Sequence, residues 1–208
     1  MFDLVTVFHN DVNRAQTDEL ARAVVHHADL PFSLHVVNNW GNHLGSYTHA
    51  ANVGAHAGDS AYIGFLNPDV TIEGAFLGKV SRAFGGNKRL VITGCRFGKP
   101  IMEVWGWGLT DWVCGAAFFV TREFFKKSGG FDEQFEWAWE ETDLCRKAED
   151  NGHEVRSIEL PIRHNSPYVD SPEDAEYKKT HLNIGARKYH RKWNMPMVEH
   201  GPDNPFLK

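Results

Sequence analysis

The tripeptide Asn67-Pro68-Asp69 is the first feature of the chain that could support chemistry. It follows the apolar segment Tyr62–Leu66, which predicts a buried strand. Proline fixes its own φ and favours an extended residue before it, so the turn is stiff. An amide oxygen and a carboxylate at the carboxyl end of a strand could hold Mg²⁺ or Mn²⁺ against a phosphate. The alternative is an ordinary turn, since all three residue types favour turns.

An acidic segment at the start of a predicted helix is the second candidate. Glu140, Glu141 and Asp143 lie close together there, and acids in a first turn stabilise a helix even without any other role. Glu141, Cys145 and Ala148 have the spacing of one helix face, which we expect to point inward, whereas Glu140 and Asp143 lie off that face. Partial burial raises the pKa of a carboxyl group, so Glu141 is the candidate general base.

Histidine and tryptophan add weaker signals. His164 follows a short apolar segment, where a neutral imidazole could bind a metal, although a single histidine is more often structural. A group of tryptophans could line a sugar-binding pocket or pack in the core. They are Trp105, Trp107, Trp112, Trp137 and Trp139.

Strand-like and helix-like segments alternate in residues 1–100 and predict a parallel sheet with helices on both faces. The predicted strands there are 4–8, 34–37, 62–66 and 90–93, and the helices are 13–28, 46–57 and 73–84. The second half predicts strands at 102–107, 112–120, 153–158 and 161–164, and helices at 121–127, 140–151 and 173–193. The expected fold class is therefore α/β, a single domain whose Rossmann-like parallel half continues into a mixed central sheet.

Length and composition are those of an ordinary globular protein. The chain has 208 residues, of which 42% are hydrophobic and 24% charged, which fits one domain with a full core. We find no run of 18 apolar residues and no basic leader, and the three cysteines are widely spaced. A cytoplasmic protein with free thiols and no membrane contact is therefore expected. The net charge of −5 gives no basic field that would attract nucleic acid.

The order of short motifs along the chain resembles family 2-like glycosyltransferases of the GT-A fold, particularly the rhamnosyltransferase-like branch. The resemblance covers residues 2–165, and its specificity comes from the ordered combination. The acidic segment after Trp139 is also similar to its counterpart in polypeptide N-acetylgalactosaminyltransferases. The matching segments are, in chain order, 6–10, 36–39, 51–54, 66–70, 115–122, 129–133, 140–144 and His164.

The resemblance implies a role for each matching residue. Asp69 and His164 would hold a divalent metal, and Glu141 matches the acid, usually Asp, that deprotonates the acceptor hydroxyl. Asn38 matches the position, usually Asp, that hydrogen-bonds the base of the nucleotide. The residues that would contact the nucleotide sugar are Phe8, Asn10, Asn38, Asn52, Gly54 and Asn67.

The function that the resemblance implies is metal-dependent transfer of a hexose or an N-acetylhexosamine from a nucleotide sugar to a hydroxyl group of a protein or glycan. The metal would be Mn²⁺ or Mg²⁺, and a UDP-linked donor is expected ahead of a GDP- or dTDP-linked one. Residues 1–100 would bind the nucleotide, 101–170 would carry the acceptor and catalytic residues, and 171–208 would form a C-terminal helix and tail.

Two other functions stay open at this point. A nucleotidyltransferase uses a similar sheet but would need a glycine-rich phosphate loop after the first strand, and residues 9–14 contain no glycine. No GxGxxG follows that strand either, so a Rossmann-type dinucleotide site lacks support. Asn38, Asn67 and Glu141 depart from the family pattern, which is compatible with a catalytically inactive nucleotide-sugar-binding module or a scaffold.

Overall fold

The computed structural model describes residues 1–99, 101–165 and 172–196. Residues 197–208 of the predicted tail, and Ser166 and Pro167 after His164, lie outside the described residues. No helix within the described ranges has an apolar stretch long enough to cross a bilayer. The elements are, in chain order, β1 (Phe2–Phe8), α1 (Asp11–His27), β2 (Phe32–Asn38), α2 (Tyr47–His56), β3 (Tyr62–Leu66), β4 (Val70–Ile72), α3 (Leu77–Gly85), β5 (Leu90–Gly94), α4 (Ile101–Gly106), β6 (Ala117–Thr121), α5 (Arg122–Lys127), α6 (Glu140–Asp150), β7 (Glu154–Ser157), β8 (Ile162–His164) and α7 (Pro172–Lys192).

A six-stranded sheet forms the centre of the fold, with the strand order β2-β1-β3-β6-β5-β7. Strand β1 is parallel to β2 and β3, and β5 is parallel to β7. Strand β6 runs antiparallel to both of its neighbours, β3 and β5. The predicted α/β class, with a parallel first half and a mixed second half, is confirmed.

Helices cover both faces of this sheet, as predicted. Leu20 of α1 and Val80 of α3 belong to the apolar core on one face. Ala51 of α2, Leu144 of α6 and Tyr189 of α7 belong to the core on the other face. Because helices cover the faces, the polar residues that follow the strands are left at the carboxyl edge of the sheet, where such folds bind ligands.

The sequence predictions are wrong in three of the connections. The predicted strand 112–120 begins only at Ala117, as β6. Residues 102–107, predicted as a strand, lie mostly in helix α4, where Val104 is buried while Met102 and Trp105 are exposed. Apolar and aromatic residues of this kind also favour strands, so the sequence pattern did not distinguish a short helix with one buried face from a strand. The predicted helix 73–84 begins only at Leu77, and β4 before it pairs with β8 in a separate two-stranded sheet. A three-residue strand is too short to show alternation.

A buried ion pair joins the amino ends of β1 and β3 to the start of α5. Asp3 Oδ2 accepts hydrogen bonds from Arg122 Nη2 at 2.6 Å and from the Ser60 N–H at 2.8 Å, and His35 Nε2 lies 3.1 Å from Asp3 Oδ1. Arg122 also donates to the carbonyls of Ser60 and Ala55. Burial alone would raise the pKa of Asp3, but the bonds from His35 and Ser60 and the charge of Arg122 outweigh it and lower that pKa.

Arg122→Met is expected to lower the free energy of unfolding by about 3–5 kcal/mol, because it removes the guanidinium that bonds the buried Asp3 carboxylate. Urea unfolding measures the loss. Arg89→Met is the matched control, since Arg89 is largely exposed and lies 4.0 Å from Glu154. That exposed pair should contribute at most about 1 kcal/mol. Equal losses in the two variants would contradict a special role for the buried pair.

Candidate active site

The ends of β1 and β2 bring together three residues that the sequence analysis assigned to the nucleotide. Phe8 and Asn38 lie opposite each other in the parallel ladder, and the Asn39 N–H donates to the Phe8 carbonyl at 2.8 Å. Asn38 Oδ1 accepts a hydrogen bond from the Trp40 N–H at 2.9 Å. Asn10 follows β1 and caps the start of α1. The side chains of Asn10 and Asn38 are exposed at this edge.

Asn52 and Gly54, the other predicted nucleotide contacts in α2, make internal contacts. Asn52 Nδ2 donates to the Phe131 carbonyl at 3.0 Å, and its Oδ1 accepts from the Phe131 N–H at 3.0 Å. A Cβ atom on Gly54 would lie 2.4 Å from Val5 Cγ1 and 2.8 Å from Val37 Cγ2, so α2 approaches the sheet closely there. The structure therefore requires Asn52 for its hydrogen bonds to Phe131 and Gly54 for the close approach of α2 to the sheet. Contact of either residue with a nucleotide stays a prediction.

Asp69 and His164 are brought together by the small sheet. Strand β4 begins directly after Asp69 and pairs with β8, which places Val70 opposite His164. His164 Nε2 lies 3.2 Å from Asp69 Oδ2, and each side chain is 22% exposed. A carboxylate suits Mg²⁺ or Mn²⁺, and imidazole is a borderline ligand. The described part of the chain holds no group of three or more His, Cys, Asp or Glu side chains able to hold a metal. A cation at this pair would therefore take its remaining ligands from water or phosphate.

Tyr47 connects the Asn-Pro-Asp turn with the acidic helix. Its hydroxyl donates a hydrogen bond to Asn67 Oδ1 at 3.2 Å. Burial raises the pKa of Tyr47 well above its ordinary value, and the nearby charges of Glu140, Glu141 and Asp69 add to that rise. The phenol therefore lies within electrostatic range of the turn and of both acids. No sequence pattern singles out Tyr47, because one tyrosine at a helix start has no distinctive spacing.

Glu140 and Glu141 open α6 as an acid pair, in which Glu140 is buried and Glu141 is half-buried. The Oε2 atom of each carboxyl group is buried and accepts no hydrogen bond from the described residues. A Cβ atom on Gly115 would lie 3.6 Å from Glu140 Oε1 and from Glu141 Cδ, so this glycine leaves the adjoining space free of a side chain. Burial raises the pKa of both groups. The charge of Glu141 adds to the rise at Glu140, whereas backbone N–H groups and Lys99 limit it at Glu141.

The two acids that were predicted to lie off the inward face of α6 are both buried, so that prediction is wrong. Glu140 is 5% exposed, and Asp143 is completely buried. The predicted inward face is confirmed at Cys145, which is also buried. Asp143 lies on a second face that the C-terminal helix covers, and it accepts hydrogen bonds from Lys192 Nζ and Trp193 Nε1. Spacing within one helix cannot reveal a second buried face.

Three of the clustered tryptophans belong to the core. Trp107, Trp112 and Trp139 are each at most 7% exposed, and the Trp107 ring lies 5.5 Å from that of Trp112 and 5.2 Å from that of Trp139. Trp112 Nε1 donates to Thr142 Oγ1 at 3.0 Å, which ties this core to the acidic helix. The packing interpretation therefore holds for these three, whereas Trp105 is 54% exposed and accessible to a ligand.

The cysteines do not supply a nucleophile. All three are free, as expected. Burial raises the pKa of Cys95 to about 11 and that of Cys114 to about 12, and it raises the pKa of Cys145 as well. Each therefore remains a thiol at neutral pH, and a thiol is a poor nucleophile.

Solved structures of glycosyltransferases resemble this chain. The mannosyltransferase PcManGT from Pyrobaculum calidifontis, in complex with GDP-Man and Mn²⁺, superposes with a TM-score of 0.69 at 14% identity. The match covers 99% of this chain and 67% of the PcManGT chain. The chain shares the fold of this structure. S. aureus TarS 1–349 superposes with a TM-score of 0.58 at 14% identity both with UDP and with UDP-GlcNAc. The match to the UDP complex covers 99% of this chain and 69% of the TarS chain. The match to the UDP-GlcNAc complex covers 93% of this chain and 72% of the TarS chain.

The likeness concerns the fold, because each of these structures is 14% identical in sequence. No protein-family model and no curated protein matches the chain. The rhamnosyltransferase-like branch therefore stays a prediction. Within the glycosyltransferase fold, the particular residues at the carboxyl edge of the sheet must support any statement about the reaction.

Proposed function

We propose that the protein is a metal-dependent glycosyltransferase that moves a sugar from a nucleoside-diphosphate sugar to an acceptor hydroxyl of a protein or glycan. The proximity of the Asn-Pro-Asp turn to the acid pair carries this proposal. The Asn67 N–H donates to the Ala116 carbonyl at 3.0 Å, and a Cβ atom on the preceding Gly115 would lie 3.6 Å from Glu140 Oε1 and from Glu141 Cδ. A turn suited to a diphosphate and acids suited to activate a hydroxyl thus lie on the same short segment. Sugar transfer requires both functions side by side.

Glu141 is the general base in this proposal. Its carboxylate accepts the proton of the acceptor hydroxyl while that oxygen bonds to the anomeric carbon and the bond to the nucleoside diphosphate breaks. Burial raises the pKa of Glu141. Hydrogen bonds from N–H groups at the start of α6 limit that rise, so the ionised carboxylate remains available. Both conditions suit proton transfer near neutral pH. Gly115 leaves room beside the carboxyl group.

Phe8, Asn10 and Asn38 hold the nucleotide in this proposal, with a UDP-linked donor preferred, and residues 101–170 supply the acceptor half. The geometry in favour is the adjacency of Phe8 and Asn38 at the strand ends. Asn67 would contribute from the turn, whereas Asn52 would act through the loop that it holds. The GDP-Man in PcManGT and the UDP-GlcNAc in TarS support a nucleotide sugar in general.

Asp69 and His164 fit the metal that this reaction calls for. Their facing oxygen and nitrogen atoms, 3.2 Å apart, would hold Mn²⁺ or Mg²⁺ from one side. When bound, the cation neutralises negative charge on the diphosphate leaving group. The Mn²⁺ in the PcManGT complex supports the same expectation.

A thermal-shift screen tests the proposed function. UDP-, GDP-, dTDP- and CDP-linked sugars and the corresponding nucleoside triphosphates are each added with Mn²⁺ and again with EDTA. A donor at a hundred times its Kd adds about 2.7 kcal/mol to the free energy of unfolding, and we expect this gain to vanish in EDTA. Absence of stabilisation by every nucleotide sugar would contradict the proposal. Stabilisation by a nucleoside triphosphate instead would favour a nucleotidyltransferase, and donor binding without donor hydrolysis or transfer would favour an inactive module.

A further inference from the structure

The backbone just before the acid pair has an unfavourable conformation. Ala138 has φ 61° and Trp139 has φ 76°, so two successive residues with side chains lie in the left-handed region. Bulky L-residues rarely adopt this conformation, because Cβ approaches the backbone. Trp139 is the N-cap of α6 and supplies no side-chain capping bond. Contacts elsewhere in the protein must therefore maintain this start of the helix.

Helix α7 provides those contacts for Trp139. The indole is 7% exposed, and its Nε1 donates to the Leu182 carbonyl at 3.0 Å. Its ring lies 5.2 Å from that of Tyr189. A Cβ atom on Gly185 would lie 2.4 Å from Trp139 Cδ1, which no side chain could tolerate without displacing the indole. The glycine is therefore required for the close approach of α7 to Trp139.

The same helix fixes the residue on the other side of the acid pair. Asp143 is completely buried, and Lys192 Nζ lies 2.8 Å from its Oδ2 and 2.7 Å from its Oδ1. Trp193 Nε1 donates to Asp143 Oδ1 at 3.0 Å, and Lys147 Nζ lies 3.4 Å from Oδ2. Lys192 also bonds Asp132, in the loop that leads to α6, at 2.6 Å. Lys192 thus joins two acidic segments.

We propose that the segment Leu182–Trp193 is a positioning element for the catalytic acids, in which Gly185 and Lys192 are the positioning residues. Its contacts lie at Trp139 and Asp143, immediately before and two residues after Glu140 and Glu141, and so bracket the pair. Helix α7 itself does not touch substrate in this role. The inference rests on the proposed function, since it assigns a purpose to the placement of the same acids.

Gly185→Ala is the first test. The added methyl group displaces Trp139, so we expect kcat for sugar transfer to fall about 10–100-fold, because small misplacements of reacting groups have effects of this size. The KM for the donor should stay within about twofold. Gly85→Ala is the matched control, because a Cβ there meets nothing within 4 Å, and its kcat should equal that of the wild type.

Lys192→Met tests the other contact and remains informative if Gly185→Ala does not fold. It should lower kcat without changing the donor KM, and Lys192→Arg should restore part of the loss by keeping a cation between Asp132 and Asp143. Two results would overturn the positioning role. One is a loss of kcat that comes with an equally large rise in the donor KM, and the other is an unchanged kcat in a variant that folds.

Hydrogen exchange separates this inference from the proposed function. Amides of residues 139–144 should exchange faster in Gly185→Ala and Lys192→Met than in the wild type, whereas amides of β1 should not change. This comparison does not depend on turnover. Faster exchange at α6 in a protein that binds no nucleotide sugar would overturn the proposed function alone. Unchanged exchange in both variants would overturn the positioning role, whatever the activity.

Discussion

Replacing Asp69 with Asn should remove most of the EDTA-sensitive stabilisation that a nucleotide sugar gives in the presence of Mn²⁺. The change keeps the shape of the side chain but removes the negative charge that faces His164 at 3.2 Å. A 100-fold rise in Kd, at a donor concentration of a hundred times the wild-type Kd, reduces the stabilisation from about 2.7 to about 0.4 kcal/mol. Thermal unfolding with Mn²⁺ and with EDTA measures both values.

Asp59→Asn is the matched control for this experiment, because Asp59 is exposed beside β3 at its amino end. It should leave donor stabilisation unchanged. His164→Ala should weaken the donor less than Asp69→Asn does, since a neutral imidazole contributes no charge to the cation site. Full EDTA-sensitive stabilisation of Asp69→Asn would remove Asp69 from the metal site. The Asn-Pro-Asp sequence would then be a turn without a binding role.

The turn and the histidine could be predicted because each carries a local signal. Asn67-Pro68-Asp69 ends an apolar strand, and His164 ends a short apolar segment. Their adjacency comes from the antiparallel pairing of β4 with β8. Strand β4 has three residues, so only the resemblance to known enzymes could suggest that the two side chains share a site.

The rest of the site depends on contacts between distant segments. Tyr47 acquires its role through a hydrogen bond to Asn67, and no property of its own surroundings in the sequence indicates that bond. Burial of Asp143 likewise depends on Lys192 and Trp193 at the far end of the chain. Helical spacing predicted the face of α6 that meets the sheet, but the face that meets α7 exists only in the folded protein.

The acid pair is expected to reduce the stability of the fold at neutral pH. Burial raises the pKa of Glu140 and Glu141 above their ordinary value, so the folded state holds their protons more tightly than the unfolded chain does. Their favourable contribution is complete below the unfolded pKa and is lost as the pH rises through the raised values. Retention of such a pair fits a functional site better than a structural one, because active sites commonly reduce stability.

Glu141→Gln should therefore leave donor binding within about twofold while lowering kcat for transfer about 10²–10⁴-fold, the usual contribution of a general base. The amide keeps the shape of the side chain but cannot accept the acceptor proton as a carboxylate does. Donor-induced thermal shifts and initial transfer rates measure the two effects.

Glu140→Gln is the matched control, because it makes the same change one residue earlier, in the other carboxyl group of the pair. We expect its kcat to fall by less than about tenfold. The charge of Glu141 raises the pKa of Glu140, so Glu140 holds its proton while Glu141 is ionised, and its replacement should leave the acidic limb of the pH–rate profile in place. If Glu140→Gln loses activity and Glu141→Gln retains it, then Glu140 is the base. The assignment of the base to Glu141, which comes from the resemblance, would then be wrong by one residue.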